Sequence, residues 1–287
     1  MIHPSQNKPA MQNKGFWRSE PANLFPQKRF LAAGGNIDII ILLFTIIIAI
    51  GLKYFYSQAS TENLNWILAP TVEMVELISG ITFDNEVHTG FISKTHRFII
   101  AKSCAGINFL IIVFCMLIFS RIQQVRLMGM GAKILFVIKS GITAYFLTIM
   151  ANAVRIIVAI YLFEAEFYSA SDSGWFAWER LHRIEGTAIY FFFLCLLYFG
   201  IVRRFNKNRF HYHGEIKNGK SLWLSTGKTP LFWYLLVTLL VPLIRRSLKG
   251  NLTGFFEHSI VVIIISMTIL LLFILVRSMV RRVKNFF

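Results

Sequence analysis

Residues 104–120 read CAGINFLIIVFCMLIFS, and no charged residue stands between Lys102 and Arg121. A run of that length approaches the ~20 residues a helix needs to cross a bilayer. It is apolar on every side, so a helix made from it has no polar face to turn toward water. Working outward, comparable runs occupy 37–56, 133–150 with a helical continuation to 163, 184–202, 230–244 and 259–276. Hydrophobic residues make up 55% of the chain and charged residues 15%, with a mean hydropathy of +0.58. A soluble domain of that composition would lack the polar surface to cover itself. The expected fold is therefore all-α, a polytopic transmembrane helix bundle of about six spans.

The charges give this bundle an expected orientation. The net charge is +16. In a soluble protein that value would suggest nucleic acid, but here Lys and Arg collect between the apolar runs, as expected of loops held in the cytoplasm, and no nucleic-acid partner is expected. Residues 1–36 are polar, carry Lys8, Lys14, Arg18, Lys28 and Arg29, and read as a disordered cytoplasmic tail. The run after them reads as a retained anchor rather than a cleaved signal peptide, because the polar region before it is long and the run is span-length. A membrane domain is expected over 37–203, a basic cytoplasmic loop over 204–229, and a C-terminal transmembrane pair without an evident role over 230–287. Arg245, Arg246 and Lys249 fall on the outer side in this scheme, against the charge rule.

Two polar insertions interrupt the spans on the expected outer side. Within 57–103, Asn63 to Gly80 has a helical pattern, but Pro70, Glu73 and Glu76 make it a poor span, so it reads as an outer-side amphipathic helix or a re-entrant one. Residues 81–101 alternate and include Gly90, which suits a short β-hairpin. The second insertion, 164–183, mixes Glu164, Glu166, Asp172 and Glu179 with Arg180 and Arg183. The run from 133 to 163 exceeds one crossing, so its helix either projects beyond the bilayer or breaks near Ala151-Asn152.

At the outer ends of these spans stand residues able to do chemistry. Of the three cysteines, Cys115 and Cys195 lie inside apolar runs as inert packing residues, and the odd count gives no disulfide framework. Cys104 lies at the edge of a run, where Ser103 is placed to cap the helix and the first turn favours a thiolate. Asn108, four residues on, shares its face in a regular helix. Arg155, in Asn152-Ala153-Val154-Arg155-Ile156, is a charge in an apolar helix, so it faces a cavity, a partner or the interface. Asn152 lies three residues before it, on the same face. A fixed cation with an amide donor can stabilise an oxyanion; the ordinary alternative is an Arg paired to Glu164 or Glu166. His182, at the entrance of the run from 184, can serve as general base and acid, with Glu185 three residues on to orient it and Gly186 to permit close helix packing. His88 and His96 are rival bases on the same side. His3, His211 and His213 belong to the cytoplasmic segments, and His258 to the C-terminal pair. No metal-binding spacing occurs, and no cofactor is expected.

These stretches resemble the exosortase/archaeosortase family. Its marks are a cysteine followed by a small residue and Gly at the start of a membrane helix, an Asn-x-x-Arg-Ile element, and a later His followed by a Gly. This chain has Ser103-Cys104-Ala105-Gly106-Ile107-Asn108, then Asn152-Ala153-Val154-Arg155-Ile156, then His182 with Gly186, in the family's order. Cys-Ala-Gly stands where the family more usually has Cys-Ser-Gly. Leu52-Lys53-Tyr54, Trp66-Ile67-Leu68-Ala69-Pro70-Thr71 and the cysteine stretch are most similar to the exosortase K type. The resemblance covers about 37–203. It implies a membrane-embedded thiol protease or transpeptidase with Cys104, Arg155 and His182 as its catalytic set. It also implies substrates: secreted proteins whose C-terminal sorting signal comprises a short motif, a transmembrane helix and a basic tail, cut and transferred to an anchor, with a glycan or lipid as acceptor. The site would face the periplasm or outside from a plasma (inner) membrane. The rival expectation is a non-enzymatic multi-pass protein, a transporter subunit or assembly factor, with Cys104 unreactive and Arg155 paired to a nearby glutamate.

Overall fold

In the computed structural model the described residues are 27–122, 125, 128–164, 178–210, 229–240, 242–243 and 255–284. Most of the second polar insertion, most of the basic loop, the residues from Arg245 to Lys249, and His3, His211 and His213 lie outside them. The protein is predominantly helical. Among the described residues four helices are long and apolar enough to cross a membrane: Ile39–Gln58, Lys102–Phe119, Met130–Glu164 and Ser259–Val280. Two shorter apolar helices, Ile184–Gly200 and Thr229–Leu240, coincide with the other apolar runs of the sequence.

The first helix, α1, spans Gln27–Gln58. It begins inside the stretch expected to be a disordered tail. Phe30, Leu31, Ala32 and Ala33 extend cheaply a helix that the apolar run has already nucleated. Its apolar residues, Ile47 and Ile50 among them, point outward, an arrangement that suits lipid rather than water. The next helix, α2 (Asn65–Ser79), is too short to span. It buries Ile67, Leu68, Thr71, Val72 and Val75, one face at helical spacing. It ends where Gly80 takes a left-handed conformation (φ +72°), its N–H bonded to the Glu76 carbonyl at 2.8 Å.

Three antiparallel strands follow: β1 (Asp84–Glu86), β2 (Gly90–Ser93) and β3 (Phe98–Ile100), in that order, with Asp84 opposite Ile92 and Phe91 opposite Ile100. A lone hairpin is marginal in water. Here a third strand pairs with it and buries Phe98 and Ile100. Gly90 is fixed by contact as well as conformation: at φ +119°, a Cβ there would lie 2.5 Å from the Ile100 carbonyl oxygen.

The central helix, α3 (Ile107–Phe119), is buried from Phe109 to Ile118, as a helix apolar all round should be. Around it lie α4 (Met130–Glu164), α5 (Trp178–Phe210), α6 (Thr229–Leu240) and α7 (Phe255–Lys284). In α6 the stretch Leu236–Leu240 is a π-helical turn. The packing pairs are α1 on α3, α2 and α3 on α4, α4 on α5, and α5 on α7. No break occurs at Ala151-Asn152: α4 is one helix of 35 residues, about 52 Å long, and the expected alternative of a break is overturned.

Candidate functional site

Strand β3 leads directly into the cysteine. After Ala101 the chain makes a single 3₁₀ turn, Lys102–Cys104, closed by the Cys104 N–H on the Ala101 carbonyl at 2.8 Å. Lys102 ties this turn to the end of α1: its ammonium donates to the carbonyls of Ser57 (3.2 Å) and Ala59 (2.6 Å). Helix α1 has no basic residue in its own last turn, so a cation from elsewhere meets its negative end.

The expectation that Ser103 caps the helix bearing Cys104 is corrected here. Gly106 adopts φ +68°, which breaks the helical path, and α3 starts only at Ile107. Cys104 therefore sits in the preceding turn, and Ser103 meets it side chain to side chain, Oγ to Sγ at 3.9 Å. The same break separates Asn108 from the face expected for it. Asn108 Oδ1 accepts from Lys53 Nζ at 2.5 Å instead.

Gly106 also brings the turn close to its neighbours. A Cβ on it would stand 3.1 Å from Thr148 Cγ2, 3.3 Å from Tyr190 Oη and 3.4 Å from Asn152 Cγ. Through this approach Asn152 Nδ2 donates to the Cys104 carbonyl. From Asn152 the contacts run on without a gap. Tyr190 Oη donates to Asn152 Oδ1 at 2.7 Å. Arg155 Nη1 donates to Tyr190 Oη at 2.9 Å and, more distantly, to Asn152 Oδ1 at 3.5 Å. Arg155 Nη2 meets His182 Nε2 at 2.7 Å. His182 Nδ1 lies 3.5 Å from Glu185 Oε2. Arginine has donors only, so the Arg155 contact makes His182 Nε2 the acceptor and leaves the ring proton on Nδ1, toward the Glu185 carboxylate.

The structure thus brings together Cys104, Asn152, Arg155, His182 and Glu185 from the 3₁₀ turn, α4 and α5. Cys104, Asn152, Arg155 and Glu185 are all buried. Cys115 and Cys195 are buried as well. Glu164, the expected ordinary partner of Arg155, contacts His96 instead; Glu166 lies outside the described residues. His88 pairs with Glu62 at 3.1 Å on the surface. The two rival histidines are thus engaged elsewhere. Among the described residues no cluster has the makings of a metal site.

Tyr190 is the member that sequence reading missed. It bonds both Asn152 and Arg155, stacks on Phe109 with ring centroids 4.7 Å apart, and places its ring beneath the guanidinium, 5.5 Å from the centroid. Its signal was present: His182, Gly186 and Tyr190 recur every four residues, one face of α5. Gly186 has a site role too, since a Cβ there would meet Arg155 Nε at 3.2 Å.

Comparison with family models, with curated proteins and with solved structures finds no match.

Proposed function

We propose that this chain is a membrane-embedded cysteine peptidase or transpeptidase of the exosortase kind. The observation that carries the reading is the run of hydrogen bonds from the Cys104 turn through Asn152, Tyr190 and Arg155 to His182, with Glu185 Oε2 3.5 Å from the other ring nitrogen. A buried thiol, a guanidinium that meets no carboxylate in a hydrogen bond among the described residues, and an imidazole with a carboxylate 3.5 Å from its other nitrogen are the three parts needed for acyl transfer. In this reading the Cys104 thiolate attacks a peptide carbonyl, and Arg155, supported by Asn152 and Tyr190, stabilises the oxyanion. His182 gives a proton to the departing amine, and Glu185 steadies the imidazolium that alternates with the neutral ring. Water or another nucleophile then releases the acyl group. The substrates are secreted proteins bearing a C-terminal motif, a transmembrane helix and a basic tail; a glycan or lipid is the acceptor when transfer occurs.

The same reading sets the chain in a plasma membrane with six crossings, counting the two shorter helices, its N-terminus and basic loop in the cytoplasm and the cysteine turn outside. A second reading, a non-enzymatic multi-pass protein, draws on the burial of Cys104, 5% exposed. The two diverge in one experiment. In the native host, Cys104→Ala is expected to insert normally while unprocessed secreted precursors accumulate, their C-terminal peptides intact by membrane proteomics. Normal C-termini in that strain would remove Cys104 as nucleophile and leave the non-enzymatic reading.

A further inference from the structure

A cavity of about 330 Å³ opens beside the site. Its lining includes Lys53, Arg155 and His182 together with Val237 and Thr238 of α6 and Val262 of α7. Cys104 is not among the described residues that line it. The C-terminal helices, for which the sequence offered no role, thus form a wall of the chamber that holds the imidazole.

Resting on the acyl-transfer reading above, we propose that this chamber is the acceptor pocket and that α6 and α7 are its specificity wall. In acyl transfer the departing amine and the incoming nucleophile occupy the same place, next to the group that gives and takes the proton, on the far side of the carbonyl from the remainder of the acyl chain. A chamber that contains His182 but excludes the thiol is that place. The backbone supplies a second observation: Val237 and Thr238 belong to the π-helical turn Leu236–Leu240, and such turns are frequent at functional sites. Thr238 Oγ1 donates to the Tyr234 carbonyl at 2.6 Å, within that wall.

The lining also defines the acceptor class. Lys53 and Arg155 are cationic, and no carboxylate is among the described lining residues. The remaining wall is mainly apolar. An acceptor with an apolar body and an uncharged or anionic head fits, and a cationic one is repelled. In the transfer step the acceptor nitrogen or oxygen bonds to the thioester carbon as the carbon–sulfur bond breaks. His182 takes the acceptor proton and returns it to the Cys104 sulfur.

The test uses two neutral nucleophiles of different size, hydroxylamine and O-benzylhydroxylamine, added together to host membranes containing the full chain. Secreted proteins released with either C-terminal hydroxamate are quantified by mass spectrometry, with Cys104→Ala as the control. Val237→Phe narrows the chamber and is expected to raise the ratio of small to bulky product about tenfold. Val237→Ala widens it and is expected to lower the ratio; it decides the matter if Val237→Phe does not fold. A general structural defect would reduce both products together and leave the ratio alone. Ratios equal to wild type in the variants that fold overturn the acceptor pocket while the Cys104-dependent products uphold the transferase. Absence of any Cys104-dependent product overturns the transferase reading itself, and the pocket with it.

Discussion

Gly106 carries two demands at once: a left-handed backbone, and room for Thr148, Asn152 and Tyr190 within 3.4 Å of where a Cβ would stand. An L side chain in that conformation costs about 1–2 kcal/mol. Gly80 shares the conformation (φ +72°) but faces open space. The pair separates strain from crowding. Gly106→Ala is expected to lower processing about a hundredfold by displacing the cysteine turn, whereas Gly80→Ala leaves the rate near wild type; processing rates in membranes, set against the amount of inserted protein, check both. Equal rates in the two variants would show that close approach at Gly106 is unimportant. At this scale the sequence revealed the residues whose types are rare in apolar helices. Arg155 and His182 announce themselves because lipid tolerates a charge or an imidazole poorly. Tyr190 did not, since an aromatic in an apolar run is ordinary packing, and only its spacing from His182 and Gly186 marked it. The cap expected of Ser103 and the helical face expected of Asn108 fail for one reason: the helix was carried back through Gly106, whose positive φ interrupts it.

Among the elements, the three-stranded sheet is what fixes the cysteine turn in place. Its last strand ends one residue before the turn begins, and Ile100 at that end is fully buried. Gly90 lets β2 approach β3, and any side chain there would press on the Ile100 carbonyl oxygen at 2.5 Å. Backbone atoms cannot swing aside as a side-chain tip can, so Gly90→Ala is expected to open the sheet. Limited proteolysis of membranes should then nick the stretch between α2 and α3 faster than in the wild type, and processing should fall with it. Undiminished resistance would show that the sheet tolerates the methyl group. Alternation in 81–101 was readable because strand side chains point to opposite faces. The third strand was not, since its partnership is non-local and its three residues are too few to show a period.

For the whole molecule, the number of crossings turns on α5. Its apolar part, Ile184–Gly200, is shorter than the four long apolar stretches, of which Lys102–Phe119 joins the cysteine turn to α3, yet the full helix has 33 residues, about 50 Å of length. Between Thr95, in the exposed β2–β3 turn, and Asn218, in the basic stretch, lie α3, α4 and α5. If all three cross, these positions are on opposite sides of the membrane; if α5 does not, they share a side. Reporter insertions at Thr95 and Asn218 are expected to respond from opposite compartments. Matching responses would reduce the crossings and overturn the proposed orientation. Apolar runs were legible because the bilayer imposes a minimum length on them. The way the helices assemble was not, because inside a membrane neighbours are chosen by small residues and polar contacts that composition does not reveal.

The contact between Arg155 Nη2 and His182 Nε2 has a consequence for timing. While the guanidinium donates to that nitrogen, the imidazole has no lone pair to offer a proton. On the proposed reading, a scissile carbonyl that draws Arg155 toward its own oxygen also sets His182 free. On that reading the two side chains work as an interlock: His182 can take up no proton until the bond to be cut has drawn Arg155 away.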